Sequence, residues 1–124
     1  MKKIILIIII GLYSIVGYNQ VLKLNAYGFT IAKIYESVPP MKPVDILISI
    51  NKSRFIIYSK DKQIYDAISS KTTYNKDQEW ISYKCIDNDG ETINLSYHIM
   101  ENGDCLIAID NNIFVWSYLC KFLE

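Results

Sequence analysis

The sequence predicts an all-β domain: a seven- or eight-stranded antiparallel meander, curled into a small up-and-down barrel or a strongly coiled sheet. Three observations predict it. From Val44 onward, apolar and polar residues alternate with a period of two almost without interruption. The strings Asp87-Asn88-Asp89-Gly90, Asn102-Gly103 and Asn111-Asn112 punctuate that pattern with residues that tolerate φ > 0, as tight hairpin turns require. No window carries a convincing helical period. A meander of this length in one domain tends to close on itself, because closure removes exposed strand edges. A two-sheet β-sandwich is the alternative.

In chain order, residues 21–35 contain the alternation Tyr27, Phe29, Ile31 and form one strand or a bent pair. Residues 36–43 hold all three prolines and form a loop, since proline removes a backbone donor and fixes φ. Residues 44–50 place Ile46, Ile48 and Ile50 on one face, and residues 54–59 present Phe55 and Ile57 to match. A strand over 62–68 follows a Lys60-Asp61 turn. The polar stretch 69–77 is expected as a loop. Strands over 80–87, 91–100, 104–110 and 113–120 follow, separated by the three turn strings.

The chain has 124 residues, is 51% hydrophobic and 21% charged, and has zero formal net charge. That length suits a single domain. The charge balance supplies no field for nucleic acid or an acidic membrane surface. Arg54 is the only arginine, so bidentate phosphate or carboxylate recognition is disfavoured. At the N-terminus, Lys2 and Lys3 precede the aliphatic run Ile4 to Ile10, which continues with breaks to Gly17. This has the form of a signal peptide over 1–17 and falls short of a membrane span. The expectation is an exported domain over 18–124, touching a membrane only through that signal. A buried first strand of a cytoplasmic protein and an uncleaved tether are the other readings. No cysteine follows the run to carry a lipid anchor.

The turns also give trial registers. With Asn102-Gly103 as a two-residue loop, Met100 faces Cys105 and His98 faces Ile107. With Asn111-Asn112 as the next loop, Ile107 faces Trp116 and Cys105 faces Tyr118. One face then carries Asn94, Ser96, His98, Met100, Cys105, Ile107, Ile109, Phe114, Trp116 and Tyr118. The other carries Ile93, Leu95, Tyr97, Ile99, Leu106, Ala108, Ile113, Val115 and Leu119, and is the expected core. The mixed face needs cover, either from packing or from a ligand or partner. Phe114, Trp116, Tyr118, Ile107 and His98 are therefore the candidate binding residues. In this register Cys105 and Cys120 are diagonal neighbours, about 7–8 Å apart. With Cys85 near the other end of the sheet, no disulfide is expected within a monomer.

Catalytic chemistry finds little support. His98 is the only histidine, and a Cys105–His98 nucleophile pair lacks an orienting third group. The string Asp87-Asn88-Asp89-Gly90-Glu91 resembles a calcium loop only superficially. Aligning Gly90 to the EF-hand glycine puts Cys85 and Ser96 at the first and last ligand positions, so a polar hairpin turn is preferred. The cysteines lack metal-site spacing. No cofactor is expected. Tyr58, Tyr65, Tyr83, Trp80 and Trp116 could stack on bases or sugars, but aromatic residues are also ordinary strand formers.

The strings from Ile57 to Asp66 (IYSKDKQIYD), Cys85 to Gly90 (CIDNDG) and Phe114 to Tyr118 (FVWSY), together with Ala26-Tyr27-Gly28-Phe29, resemble a group of small exported β-rich proteins of gut anaerobic bacteria and their phages. The similarity would cover most of the chain after residue 17. The proline-bearing loop before Val44 departs from it, since the group has a Trp/Ser/Asp-rich segment there. The resemblance implies a shared architecture behind an export signal and brings no activity with it. The combined reading is an exported non-catalytic binding protein for an unidentified small ligand or protein. A phage structural or cargo protein is the alternative, and a Cys/His hydrolase a distant third.

Overall fold

The computed structural model describes residues 21–51, 53–75 and 78–123. The expected signal segment over 1–17 lies outside them. The described residues form eight strands: β1 (Val21–Lys33), β2 (Lys42–Asn51), β3 (Arg54–Ile57), β4 (Gln63–Asn75), β5 (Gln78–Ile86), β6 (Thr92–Ile99), β7 (Cys105–Asp110) and β8 (Phe114–Phe122). They pair antiparallel in sequence order, and β1 also pairs with β8, so the sheet closes into an up-and-down barrel.

Alternation fills the interior. Leu24, Ile48, Phe55, Ile57, Leu95, Ile107, Ile109 and Tyr118 are among the largest fully buried side chains. Each such side chain contributes about 1.5–3 kcal/mol by leaving water. Eight strands enclose a space just wide enough for side chains, so this interior is a packed core. The outer face carries Lys23, Asn25, Asp45, Arg54, Asp66, Lys84, Asn94 and Lys121. Leu47, Ile56, Leu106, Ala108, Val115 and Leu119 also point outward, so the outer face is mixed while the interior is apolar.

The first strand is bent, as its sequence allows. Its register shifts between Ala26 and Gly28 on both sides: Tyr27 is an extra residue against β8, whereas against β2 the extra residue lies on β2, between Pro43 and Ile46. The proline segment folds back over the outside of this bend. Thr30 Oγ1 donates to the Pro39 carbonyl at 2.9 Å. A Cβ on Gly28 would lie 3.3 Å from Leu119 Cβ and 3.5 Å from Met41 Cβ, so the glycine permits this close approach. Pro43 lies within β2, opposite Gly28 and beyond the residues that pair with β3, where the strand has a neighbour on one side only.

Two expectations need correction. The stretch 69–77 is not a loop: β4 continues to Asn75, pairing with β5 out to Gln78. Past Ser69, β4 has no β3 partner and residues 69–72 and 74 are exposed, which explains the Ser, Lys and Thr composition there. The second correction concerns register. The Asn102-Gly103 turn is a three-residue loop. Met100 N donates to the Asp104 carbonyl, Gly103 N donates to the Met100 carbonyl, and Gly103 sits at φ 90°. The pairs are therefore Ile99↔Cys105, His98↔Leu106 and Tyr97↔Ile107. A one-residue slip moves a whole strand to the other face. Ile93, Leu95, Tyr97 and Ile99 thus share the interior with Cys105, Ile107 and Ile109, while His98 points outward.

The last turn slips by two residues, and an even slip preserves faces. Cys105 faces Cys120, Ile107 faces Tyr118 and Ile109 faces Trp116. Asn111 Oδ1 accepts from Ile113 N and Phe114 N, and Asn112 adopts φ 75°. The Asp87-to-Glu91 string is a hairpin turn of the same kind as 100–104, with Gly90 at φ 81° and Asp87 Oδ1 accepting from Asp89 N and Glu91 N.

Candidate functional site

At one end of the barrel, the end of β1, the start of β2, the β3–β4 turn and the start of β8 surround an open cleft of about 490 Å³. Its walls are Phe29, Ile31, Ile46, Trp116 and Tyr118; Ser59, Lys60, Asp61 and Gln63 supply the polar part. Closure of β1 onto β8 builds the aromatic wall, because Phe29 pairs with Tyr118 and Ile31 with Trp116. The Phe29 and Tyr118 rings pack at 5.2 Å between centroids, tilted by 43°.

Gln63, the first residue of β4, organises the inner edge. Its Nε2 donates to Ser59 Oγ at 3.0 Å and to Tyr118 Oη at 3.1 Å. Its Oε1 accepts from Tyr65 Oη at 2.5 Å and from Trp116 Nε1 at 3.2 Å. Both donors and both lone pairs of the amide are engaged. One polar side chain on an otherwise apolar inner face thereby fixes three aromatic side chains from two strands that are not neighbours. Burial raises the Tyr65 phenol pKa, and the nearby Tyr118 adds to the rise. Burial also raises Tyr118, while its bond from Gln63 opposes the shift. Both therefore stay protonated in the neutral range.

The turns around this mouth are tied together. Asn88, in the β5–β6 turn, accepts from Ile64 N at 2.7 Å and donates to the Lys62 carbonyl at 3.2 Å. Ser59 Oγ donates to the Asp61 carbonyl at 2.7 Å. Ile34 N donates to the Ile113 carbonyl at 3.0 Å. The cleft is thus bounded by hydrogen-bonded turns.

The five candidate binding residues separate. Trp116 and Tyr118 line the cleft. Ile107 pairs with Tyr118 and is 1% exposed, so it belongs to the core behind the wall. Phe114 has the same strand parity as Trp116 but lies opposite Lys33, outside the cleft lining. His98 is on the outer surface. Its ring stacks on Trp80 at 4.9 Å, and its Nδ1–H donates to the Glu79 carbonyl at 2.8 Å. Cys105 and His98 therefore lie on opposite faces of the sheet. Burial drives the Cys105 thiol well above its ordinary pKa, Cys120 and Asp104 add to that rise, and a backbone hydrogen bond from His98 opposes it.

Gln63, Phe29, Ile31, Ile46 and the 59–61 turn were not among the binding residues expected from sequence. Gln63 left a usable signal: it shares the parity of Tyr65 at the start of an apolar-facing strand. Phe29 and Ile31 left none, because only barrel closure brings residues about ninety positions apart together. Comparison with protein-family models, with curated proteins and with solved structures finds no match to this chain. Fold and site together define a closed eight-stranded antiparallel barrel with a packed interior and an open, aromatic-walled mouth.

Proposed function

We propose that this protein is an exported, non-catalytic binding barrel that receives the apolar or aromatic part of a small ligand, or of a protein side chain, in the mouth formed by Phe29, Ile31, Trp116 and Tyr118. The observation that carries this reading is the Gln63 hub. It holds Trp116 and Tyr118 in fixed orientations beside open volume, and pre-organised aromatic walls bind without a large ordering cost. Ser59, Lys60 and Asp61 at the lip would orient a polar tail. The resemblance to small exported proteins of gut anaerobes and their phages agrees with export and leaves the ligand open.

The test uses indole, phenol and cyclohexanol as probes at millimolar concentration. Binding is read from Trp116 fluorescence in a Trp80→Phe background and from amide shifts by NMR. A saturable response centred on β1, β8 and the 59–61 turn is expected, and Ile31→Asp on the exposed lip should weaken it at least several-fold without unfolding the barrel. Absence of a saturable response to all three probes would overturn the proposal. Export is tested separately: N-terminal sequencing of the native protein should begin near Tyr18, and retention of Met1 would refute it.

A further inference from the structure

The three cysteines are all buried, but they are not equivalent. Cys85 lies on β5 opposite Ala67 and Ile93. Cys105 on β7 lies directly opposite Cys120 on β8, both on the inner face, in a row that runs Ile99, Cys105, Cys120, Ala26 across four strands. Directly opposed residues of an antiparallel pair have Cα atoms about 4.5–5.5 Å apart. Disulfides span Cα distances of about 4.4–6.8 Å. The register therefore places this pair within the Cα span a disulfide needs. Ala26, the next residue along the row, presents only a methyl group beside Cys120.

We propose that Cys105 and Cys120 are a disulfide-forming pair that cross-links the β7–β8 hairpin, with Cys85 left as a thiol. The oxidant is a small-molecule or protein disulfide, represented by oxidised glutathione. One cysteine thiolate attacks a glutathione sulfur, breaking the glutathione S–S bond, forming a mixed disulfide and releasing one glutathione thiolate. The second cysteine thiolate attacks the cysteine sulfur of that mixed disulfide, forming the Cys105–Cys120 bond and releasing the second glutathione thiolate. Two protons pass from the cysteines to the two glutathiones, and two electrons reduce the glutathione disulfide. Cys105 is 2% and Cys120 0% exposed, so exchange requires the hairpin to open. Closure therefore belongs to folding or to transient opening. The proposal is independent of the mouth cleft, and its failure would leave the binding reading untouched.

The protein is incubated with oxidised glutathione at a guanidinium concentration just below its unfolding midpoint, then alkylated in full denaturant and weighed intact. One alkylated cysteine is expected where the reduced protein shows three. Cleavage before aspartate separates the sites, because Asp77 precedes Cys85, Asp104 precedes Cys105 and Asp110 precedes Cys120. The peptide beginning at Asp104 should be linked to the one beginning at Asp110. Three alkylated cysteines, or a link involving Cys85, would overturn the proposal. Cys85→Ser should retain the link, and Cys120→Ser should lose it.

Discussion

Replacing Gln63 by Leu isolates what the polar hub contributes. The substitution keeps most of the side-chain volume and removes all four hydrogen bonds. Tyr65 is 4% exposed and Tyr118 2% exposed, so neither hydroxyl gains ready access to water. Trp116 is half-buried at the cleft and can be rehydrated. Leaving a buried polar group unsatisfied costs about 1–3 kcal/mol. With the Tyr65 hydroxyl orphaned and the Tyr118 hydroxyl losing its donor, and with partial recovery from added apolar area, the loss should be about 2–3 kcal/mol. Guanidinium unfolding of wild type and variant should show a lower midpoint at unchanged slope. Lys60→Ala, on the exposed lip, should stay within about 0.5 kcal/mol. Trp116 emission should also shift to the red as its orientation loosens. A loss below about 0.5 kcal/mol for Gln63→Leu would refute the claim that this amide organises the mouth.

Two glycine substitutions separate conformational from steric cost in thermal unfolding. Gly90→Ala introduces a Cβ with nothing within 4 Å but at φ 81°, and should cost about 1–2 kcal/mol through backbone strain alone. Gly28→Val pushes atoms against Leu119 and Met41 and should cost about 1–3 kcal/mol by overpacking, together with greater protease sensitivity of the 34–41 segment. Raised pH should destabilise the fold. Folded-state pKa values lie above the ordinary 10.0 for Tyr27, which reaches about 12 mainly through its hydrogen bond to Asp104, and above the ordinary 9.0 for Cys85 and Cys120, which reach about 12 mainly through burial. Groups raised on folding give stability that is complete below the unfolded pKa and is lost as pH rises toward the folded one. Stability measured by urea unfolding should therefore fall between pH 9 and 12, and a flat profile there would contradict the burial of the two thiols and the Tyr27–Asp104 hydrogen bond. Finally, linking Cys105 to Cys120 should stabilise the barrel by about 3 kcal/mol, as expected for a loop of this length, read as the difference between oxidised and reduced midpoints.

The architecture was legible in the sequence because both of its signals are local. A period of two is a property of neighbouring residues, and Asn and Gly mark reversals through their own φ preferences; Gly90, Gly103 and Asn112 all adopt positive φ. The site was only half legible. Trp116 and Tyr118 were identifiable as aromatic residues on a face shared with Ile107. An Asn-Gly pair is compatible with a two- or a three-residue loop, and in this turn Asn102 Oδ1 accepting from Asp104 N and Gly103 N donating to Met100 select the longer one. That single residue separates His98 from Ile107, turns Cys105, Ile107, Ile109 and Tyr118 inward beside Leu95 and Tyr97, and removes the mixed face on which the binding set was drawn.

The residues themselves determined that strands form, roughly where they turn, and which side chains in each strand share a face. Tertiary structure alone decided how those faces join, because register depends on loop geometry to the single residue and closure depends on the summed twist and tilt of all eight strands. Phe29 meets Tyr118, Gln63 reaches Trp116 and Cys105 meets Cys120 for that reason. Each meeting is a relation between strands, which no one segment's preferences contain.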